Sequence, residues 1–371
     1  MTITPAHWSA EALTGIAAQD DARLPVFTAA DVVPILPDHD LWDMWQIAYA
    51  DGRTAFFGGR SWWFFLATPR FEDPEMRHDE ARIRLTSFGP DGWRDHGETF
   101  ADGFTPGSRE WSGSAVLGED DTTLTMYFTA SGRRGQPRTF EQRLFETVGR
   151  FLPDEGRTEG WSEPVESVAA DGHHYIVANQ AEPENGGIKG FRDPGYFRDP
   201  ADGAEYLLFV GSAGWVKQDI DGVVGVAKRE GDGWTIQPPL IESLGVNSEL
   251  ERPHIILRDG HYYCFWSTQG KRFAPGLGAP TGLYAMVADR FAGPWRPVNG
   301  TGLVAGNPVA EPTQAYCWWV TGEGDVISFV DYWGMEGRDA SEDPALRRAR
   351  FGGTAAPWFR LAFDGDRVTI A

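Results

Sequence analysis

The chain has 371 residues, 41% of them hydrophobic and 13% aromatic with 16 tryptophans, so a packed core is readily supplied and disorder cannot dominate. A formal net charge of -21, from 54 acidic against 33 basic residues, opposes binding to nucleic acid or to an anionic membrane surface. Cys264 and Cys317 are the only cysteines, which excludes a disulfide framework and a cysteine-rich zinc site while leaving one bridge open, and no stretch approaches the roughly 20 apolar residues of a membrane span.

In chain order, residues 1–20 lack the basic start and apolar run of an export signal, which predicts a protein that is cytoplasmic or leaves a bacterial cell by a signal-independent route. Ser9 is placed to cap a short helix over 9–14. Short β-rich runs then recur at 61–66, 123–128, 205–210 and 261–266. Strands enter from tight reversals at Asp51-Gly52, Asp202-Gly203 and Asp259-Gly260. A second unit, a turn leading into a tryptophan strand, closes a strand group at Gly92-Trp93, Gly233-Trp234 and Pro294-Trp295. Strand groups repeated without a strict sequence period predict an all-β β-propeller with diverged blades, the alternative being a pair of β-sandwiches. Residues 132–142, 154–159 and 334–345 read as polar surface excursions rather than domains.

Three acidic motifs carry the chemistry. Asp43 stands between Trp42 and Trp45, where aromatic shielding favours a nucleophilic carboxylate, although an isolated Asp there also serves to cap a turn. Asp193 follows Arg192 in Phe191-Arg192-Asp193-Pro194, and an adjacent guanidinium lets a buried carboxylate stay ionised; the near copy Phe197-Arg198-Asp199-Pro200 reads as a turn. Glu251 is preceded by Glu249, and on one face of a strand the two would repel and raise the pKa of one or both, as a general acid requires. Taken singly, an ion pair and a surface pair of acids explain the last two. Trp111 and Ser112 add a stacking ring and a hydroxyl suited to orienting a carboxylate. No Gly-rich phosphate loop, His-Glu-x-x-His or Gly-x-Ser-x-Gly is present.

Together these motifs resemble glycoside hydrolase family 68, the levansucrases, inulosucrases and bacterial β-fructofuranosidases. The resemblance runs in order from about Trp42 to Gly353 and takes in Glu110-Trp111-Ser112-Gly113-Ser114, Asp221-Gly222-Val223-Val224-Gly225, Gly306-Asn307-Pro308, Gln314-Ala315-Tyr316 and Ser328-Phe329. It implies a five-bladed β-propeller over 1–371, with 1–40 packing on it as an N-terminal segment, and a funnel-shaped site for sucrose and sugar acceptors. It implies no cofactor and, because Ser248 stands where calcium-binding members carry Asp, no metal. By resemblance Asp43 is the nucleophile, Asp193 the transition-state stabiliser and Glu251 the general acid and base. Trp42, Trp111, Ser112, Arg192, Arg252 and Tyr316 match the supporting shell.

Departures from the family pattern fall at Gln46, at Val210, and at Gln269, which replaces an Arg or His that helps hold the glucosyl or acceptor sugar; the acceptor side is expected to lie around Gln46, Glu249 and Gln269. Hydrolysis and short-product transfer are favoured over long levan. The competing readings are a relative among other five-bladed sugar hydrolases and a carbohydrate-binding propeller without catalysis.

Overall fold

The computed structural model of the protein describes residues 3–180 and 187–371. Its strands form five antiparallel meanders in chain order. The first is His39–Tyr49, Arg60–Pro69, Arg82–Gly89 and Gly92–Glu98. The second is Arg109–Leu117, Thr123–Ser131 and Gln142–Leu152, with the short strands Arg157–Glu159 and Val165–Val168 both paired to Gln142–Leu152. The third runs Phe191–Arg198, Glu205–Ser212, Gly222–Glu230 and Gly233–Glu242. The fourth is Glu251–Arg258, His261–Thr268 and Gly282–Ala288, edged by Arg296–Pro297 and Leu303–Gly306. The fifth is Ala315–Val320, Asp325–Tyr332, Phe351–Ala355, Phe359–Asp364 and Arg367–Ile370.

Every β-rich run expected from sequence is the second strand of one of the first four meanders, and the tryptophan turns open the outer edges. The Asp259-Gly260 reversal shows why: both residues take positive φ, +49° and +82°, the geometry that twists a two-residue hairpin correctly. The second strands are buried on both faces, which is why they read as unbroken apolar runs rather than as alternation.

The first strand of each meander touches the first strand of the next, and that of the fifth touches that of the first. First and second even pair in parallel, Ile47 opposite Ala115, which fuses their meanders into one ten-stranded sheet. Large aromatics fill the seams between meanders, with Trp42, Trp45, Trp63, Trp266 and Trp318 among the fully buried side chains. Each such ring contributes on the order of 2–3 kcal/mol of burial.

The N-terminal segment is stitched across several meanders. Ala6–His7 adds in parallel to the outer strand of the third, opposite Ile241 and Glu242. Trp8 then packs edge-on against Trp266 and donates Nε1–H to Thr301 O at 3.0 Å. Further on, Phe27 N donates to Gln314 Oε1 at 2.9 Å, and Thr354 Oγ1 donates to Val33 O at 2.7 Å. Ser9 caps Ala10–Leu13 as expected, but the element is one 3-10 turn. Cys264 and Cys317 are separate buried thiols, so the bridge left open by the sequence is not made.

Candidate active site

All five inner strands carry a bulge, between Trp42/Met44, Trp111/Gly113, Arg192/Gly195, Glu251/His254 and Tyr316/Trp319. Four hold a non-glycine residue in the left-handed region: Asp43 (φ +42°), Asp193 (+60°), Arg252 (+54°) and Cys317 (+59°). Such conformations persist only where the surroundings enforce them, and here Asp43 and Asp193 reach a shared cavity while Arg252 and Cys317 stay buried off it. Glycine is required at two of the bulges. A Cβ on Gly113 would lie 1.8 Å from Tyr127 O, and one on Gly195 2.4 Å from Pro253 O, where the third and fourth inner strands meet.

The bulges open onto a cavity of about 680 Å³, ample for a disaccharide. Its wall includes Trp42, Asp43, Trp111, Ser112, Arg192, Asp193, Glu249, Glu251, Gln269 and Tyr316, so all but one of the residues expected from sequence converge there. The exception is Arg252. It is 2% exposed behind the wall, its guanidinium 5.4 Å from the Trp45 ring and 5.1 Å from the Trp319 ring, and Nη2 donates to Met44 O at 2.7 Å. Because the left-handed turn at Arg252 sends it away from the cavity, its expected contact with sugar is corrected: it fixes the backbone next to Asp43.

Ser112 Oγ donates to Asp43 Oδ2 at 3.0 Å, the orientation its hydroxyl predicted. One oxygen of Asp43 is thereby aimed while the carboxylate keeps a lone pair for bond formation.

Arg192 is the hub of the acidic cluster. Its Nη2 donates to Glu249 Oε1 and, at 2.5 Å, to Glu251 Oε1, while Nε lies 3.7 Å from Asp193 Oδ2. Gln142 holds the base of this arm, accepting from Phe191 N at 3.0 Å and from Arg192 Nη1 at 3.4 Å. Burial alone would lower the Arg192 pKa, but the three carboxylates around it raise it, so it stays a cation.

The two glutamates diverge. Glu249 sits just before the strand rather than in it, with its N–H donating to Asn247 Oδ1 at 2.8 Å and Arg272 Nε 2.8 Å from Oε2. Burial pushes its carboxyl up, yet Arg272 and Arg192 outweigh that and hold it below the usual range. Glu251 is pushed well up, first by burial and then by the charge of Glu249, with Arg192 opposing. The repulsion inferred from their spacing therefore falls on Glu251, where it outweighs the opposing pull of the arginine the two share, while Glu249 is held down by its two cations. Tyr316 OH donates to Glu251 Oε2.

Asp193 departs from expectation in another way. Burial lifts its pKa to about 6 against the pull of Arg192 and Arg252, so it is still mainly ionised at neutral pH. Because the folded value lies above the unfolded one, ionising Asp193 removes stability as pH rises through about 6, and nothing is lost below about pH 4, where both states are protonated. The substitution Asp193→Asn is expected to raise the stability of the ligand-free protein by on the order of 1 kcal/mol at pH 8 and by nothing at pH 4. Thermal melts at the two pH values check this.

Several wall residues carried no signal in the sequence: Glu75, Arg77 and His78 from the short helical turns after the second strand, Arg138 and Phe140 from the excursion at 132–142, Lys271 and Arg272, and Asp331 with Tyr332. The excursion is thus part of the cavity rim. Gln46, read as a departure near the acceptor, instead sits buried off the cavity and accepts from Thr54 Oγ1 at 2.9 Å. Val210 lies buried opposite Arg192 in the ladder, and Ser248 Oγ donates to Arg272 O at 3.3 Å. Gln269 does line the cavity, and its Oε1 is buried without a hydrogen-bond partner. Among the described residues no group of three or more His, Cys, Asp or Glu is spaced to hold a metal ion.

The family model described as levansucrase/invertase matches residues 2–223 and 212–371. The levansucrase of Rahnella aquatilis is 30% identical over 417 residues, spanning 100% of this chain and 95% of that protein. The levansucrase of Erwinia amylovora is 31% identical over 376 residues, covering 89% and 85%. Among solved structures, the inulosucrase from Halalkalicoccus jeotgali bound to kestose superposes with a TM-score of 0.88 at 36% identity, covering 99% of this chain and 95% of that one. The levansucrase from Gluconacetobacter diazotrophicus, at 24% identity and a TM-score of 0.81, shares the fold over 100% and 90% of the two chains. With the model matched from end to end and relatives at 30% identity across the whole length, this chain belongs to glycoside hydrolase family 68, the levansucrase and invertase family.

Proposed function

We propose that the protein is a single five-bladed β-propeller that cleaves sucrose through a covalent fructosyl-enzyme and passes the fructosyl group to water or to a sugar. The observation that carries this reading is the meeting of Asp43, Asp193 and Glu251 in one cavity, with Glu251 disposed to keep its proton to higher pH than Asp193. Asp43 attacks the anomeric carbon of the fructosyl unit as the bond to the glucosyl oxygen breaks. Glu251 gives its proton to that oxygen, and glucose departs. In the second step Glu251 takes a proton from water or an acceptor hydroxyl, whose oxygen displaces Asp43. Asp193, kept ionised beside Arg192, accepts hydroxyl hydrogens of the fructosyl unit and offsets the positive charge that develops on the ring. The ring of contacts among the five inner strands supports the five-bladed architecture.

Short transfer products are favoured over long levan. Gln269 brings no charge to the side of the cavity near Glu249, and its unpartnered Oε1 offers one neutral contact where a cation would grip an acceptor. The 36%-identical inulosucrase is seen with kestose, a short oligosaccharide. The levansucrase names of the 30%-identical relatives support the opposite outcome, long levan. Incubation with sucrose, with glucose, fructose and oligomers resolved by chromatography, decides between them. Glucose with free fructose and oligomers of a few units is expected, and no glucose release at all would sink the reading.

A further inference from the structure

Asp331 is a further carboxylate on the cavity wall, apart from the acids already described. It is the next-to-last residue of the strand Asp325–Tyr332, two residues beyond Phe329, which pairs with Tyr316, and both Phe329 and Asp331 line the cavity. The strand of Asp331 lies against the strand of Asp43, and of the three acids discussed above Asp43 is the one whose charge bears most on it. Asp331 is only 9% exposed, and its Oδ1 is shut off from solvent without a hydrogen-bond partner. Its principal cationic neighbour, Arg77, is engaged elsewhere: Nη1 donates to Pro74 O at 2.9 Å and to Glu75 Oε1 at 3.0 Å, and Nε has no partner either.

A buried polar atom left unpaired costs about 1–3 kcal/mol, more if it is charged. An acceptor and a donor, both unmet on one wall of a sugar-sized cavity, therefore mark a place where a ligand completes the hydrogen bonding. Burial also lifts the Asp331 pKa to about 7 against the pull of Arg77, as it would for a carboxyl with no local partner.

We propose that Asp331 binds a hydroxyl of the sugar unit that becomes attached to Asp43, so that it helps select the group transferred rather than the leaving group or acceptor. This rests on the sucrose reading above. A strand-end acid without function would be left to water, and 9% exposure does not allow that.

The test compares Asp331→Ala and Asp331→Asn with the wild-type chain on sucrose and on raffinose, which carries the same fructosyl unit and differs only on the glucosyl side. Asp331→Ala is expected to lower kcat/KM on both substrates by about 10- to 100-fold, a lost hydrogen bond to a charged group. Asp331→Asn, which keeps an acceptor oxygen, should lose less. The raffinose-to-sucrose ratio and the partition between hydrolysis and transfer should not move, and the melting temperature should hold or rise, since an unpaired acid is removed. Wild-type kcat/KM in Asp331→Ala overturns the proposal. So does a shifted ratio or partition, which would put Asp331 on the glucosyl or acceptor side, and so does an equal loss in both variants with a fall in melting temperature, which would make the residue structural. Absence of glucose release by the wild-type chain is a separate outcome: it removes the sucrose reading, and this inference with it.

Discussion

Replacing Asp43 by alanine is expected to reduce sucrose cleavage by on the order of 10⁴-fold or more while leaving the fold intact, because it removes the carboxylate proposed to form the covalent intermediate. Glu251→Gln is expected to lose about 10²- to 10⁴-fold, the range for removing a general acid and base. The two losses differ in kind. A fructoside whose leaving group departs without a proton, such as that of nitrophenol, should restore the first step in Glu251→Gln and do nothing for Asp43→Ala. Azide, which attacks without needing a base, should rescue the second step of Glu251→Gln and appear as a fructosyl azide. Equal behaviour of both variants on the activated substrate would refute the division of roles. The geometry behind it is the Ser112 hydroxyl aimed at Asp43 and the burial that holds the proton on Glu251.

Arg192→Leu should be the most damaging change to the site's supports. Its guanidinium bridges Glu249 and Glu251 and lies beside Asp193; Asp193 and Glu249 are buried with it, and Glu251 is partly buried. Removing one partner of a buried charge cluster typically costs about 3–5 kcal/mol, since the others are left uncompensated. The deficit should depend on pH in a definite direction. Glu249 is held below its ordinary range in part by Arg192, so its contribution to stability is present above the unfolded pKa and disappears as it is protonated in acid. Wild-type and variant melting temperatures should therefore lie farthest apart near pH 8 and converge only as the pH falls below about 4, the ordinary carboxyl range. Arg192→Lys should fall between the two, because an ammonium keeps the charge but cannot also reach Gln142 and Asp193 as Nη1 and Nε of the guanidinium do. A melting difference that is constant across pH would show that the arginine acts by packing and not by charge.

Much of the fold was legible in the chain because the second strands of the meanders are buried on both faces and so appear as continuous aromatic and β-branched runs such as 61–66 and 261–266. Asp-Gly and Gly-Trp turns mark where they reverse, since few other residue pairs accept those backbone angles. The inner strands were harder to see. Phe191-Arg192-Asp193-Pro194 and Glu251-Arg252-Pro253 contain charge and proline where a strand should have neither, and the reason is the bulge at each, which takes the proline out of the ladder and points the acid inward.

Residues near Asp43, Asp193 and Glu251 in sequence were therefore found, while Glu75, Arg77, Arg272 and Asp331 were not, because each reaches the cavity from a turn or a strand end whose direction no local pattern encodes. Residue type and order along the chain were enough to name the three acids and the family they resemble, for these follow from local chemistry and spacing. Which side of the wall each arginine serves required the folded chain. Arg192 and Arg252 each stand beside a proposed catalytic acid, yet the backbone sends one into the cavity and the other behind it. The division between Glu249 and Glu251 has the same origin: two like residues, two positions apart, are separated in pKa by the burial and the cations that distant strands bring to each.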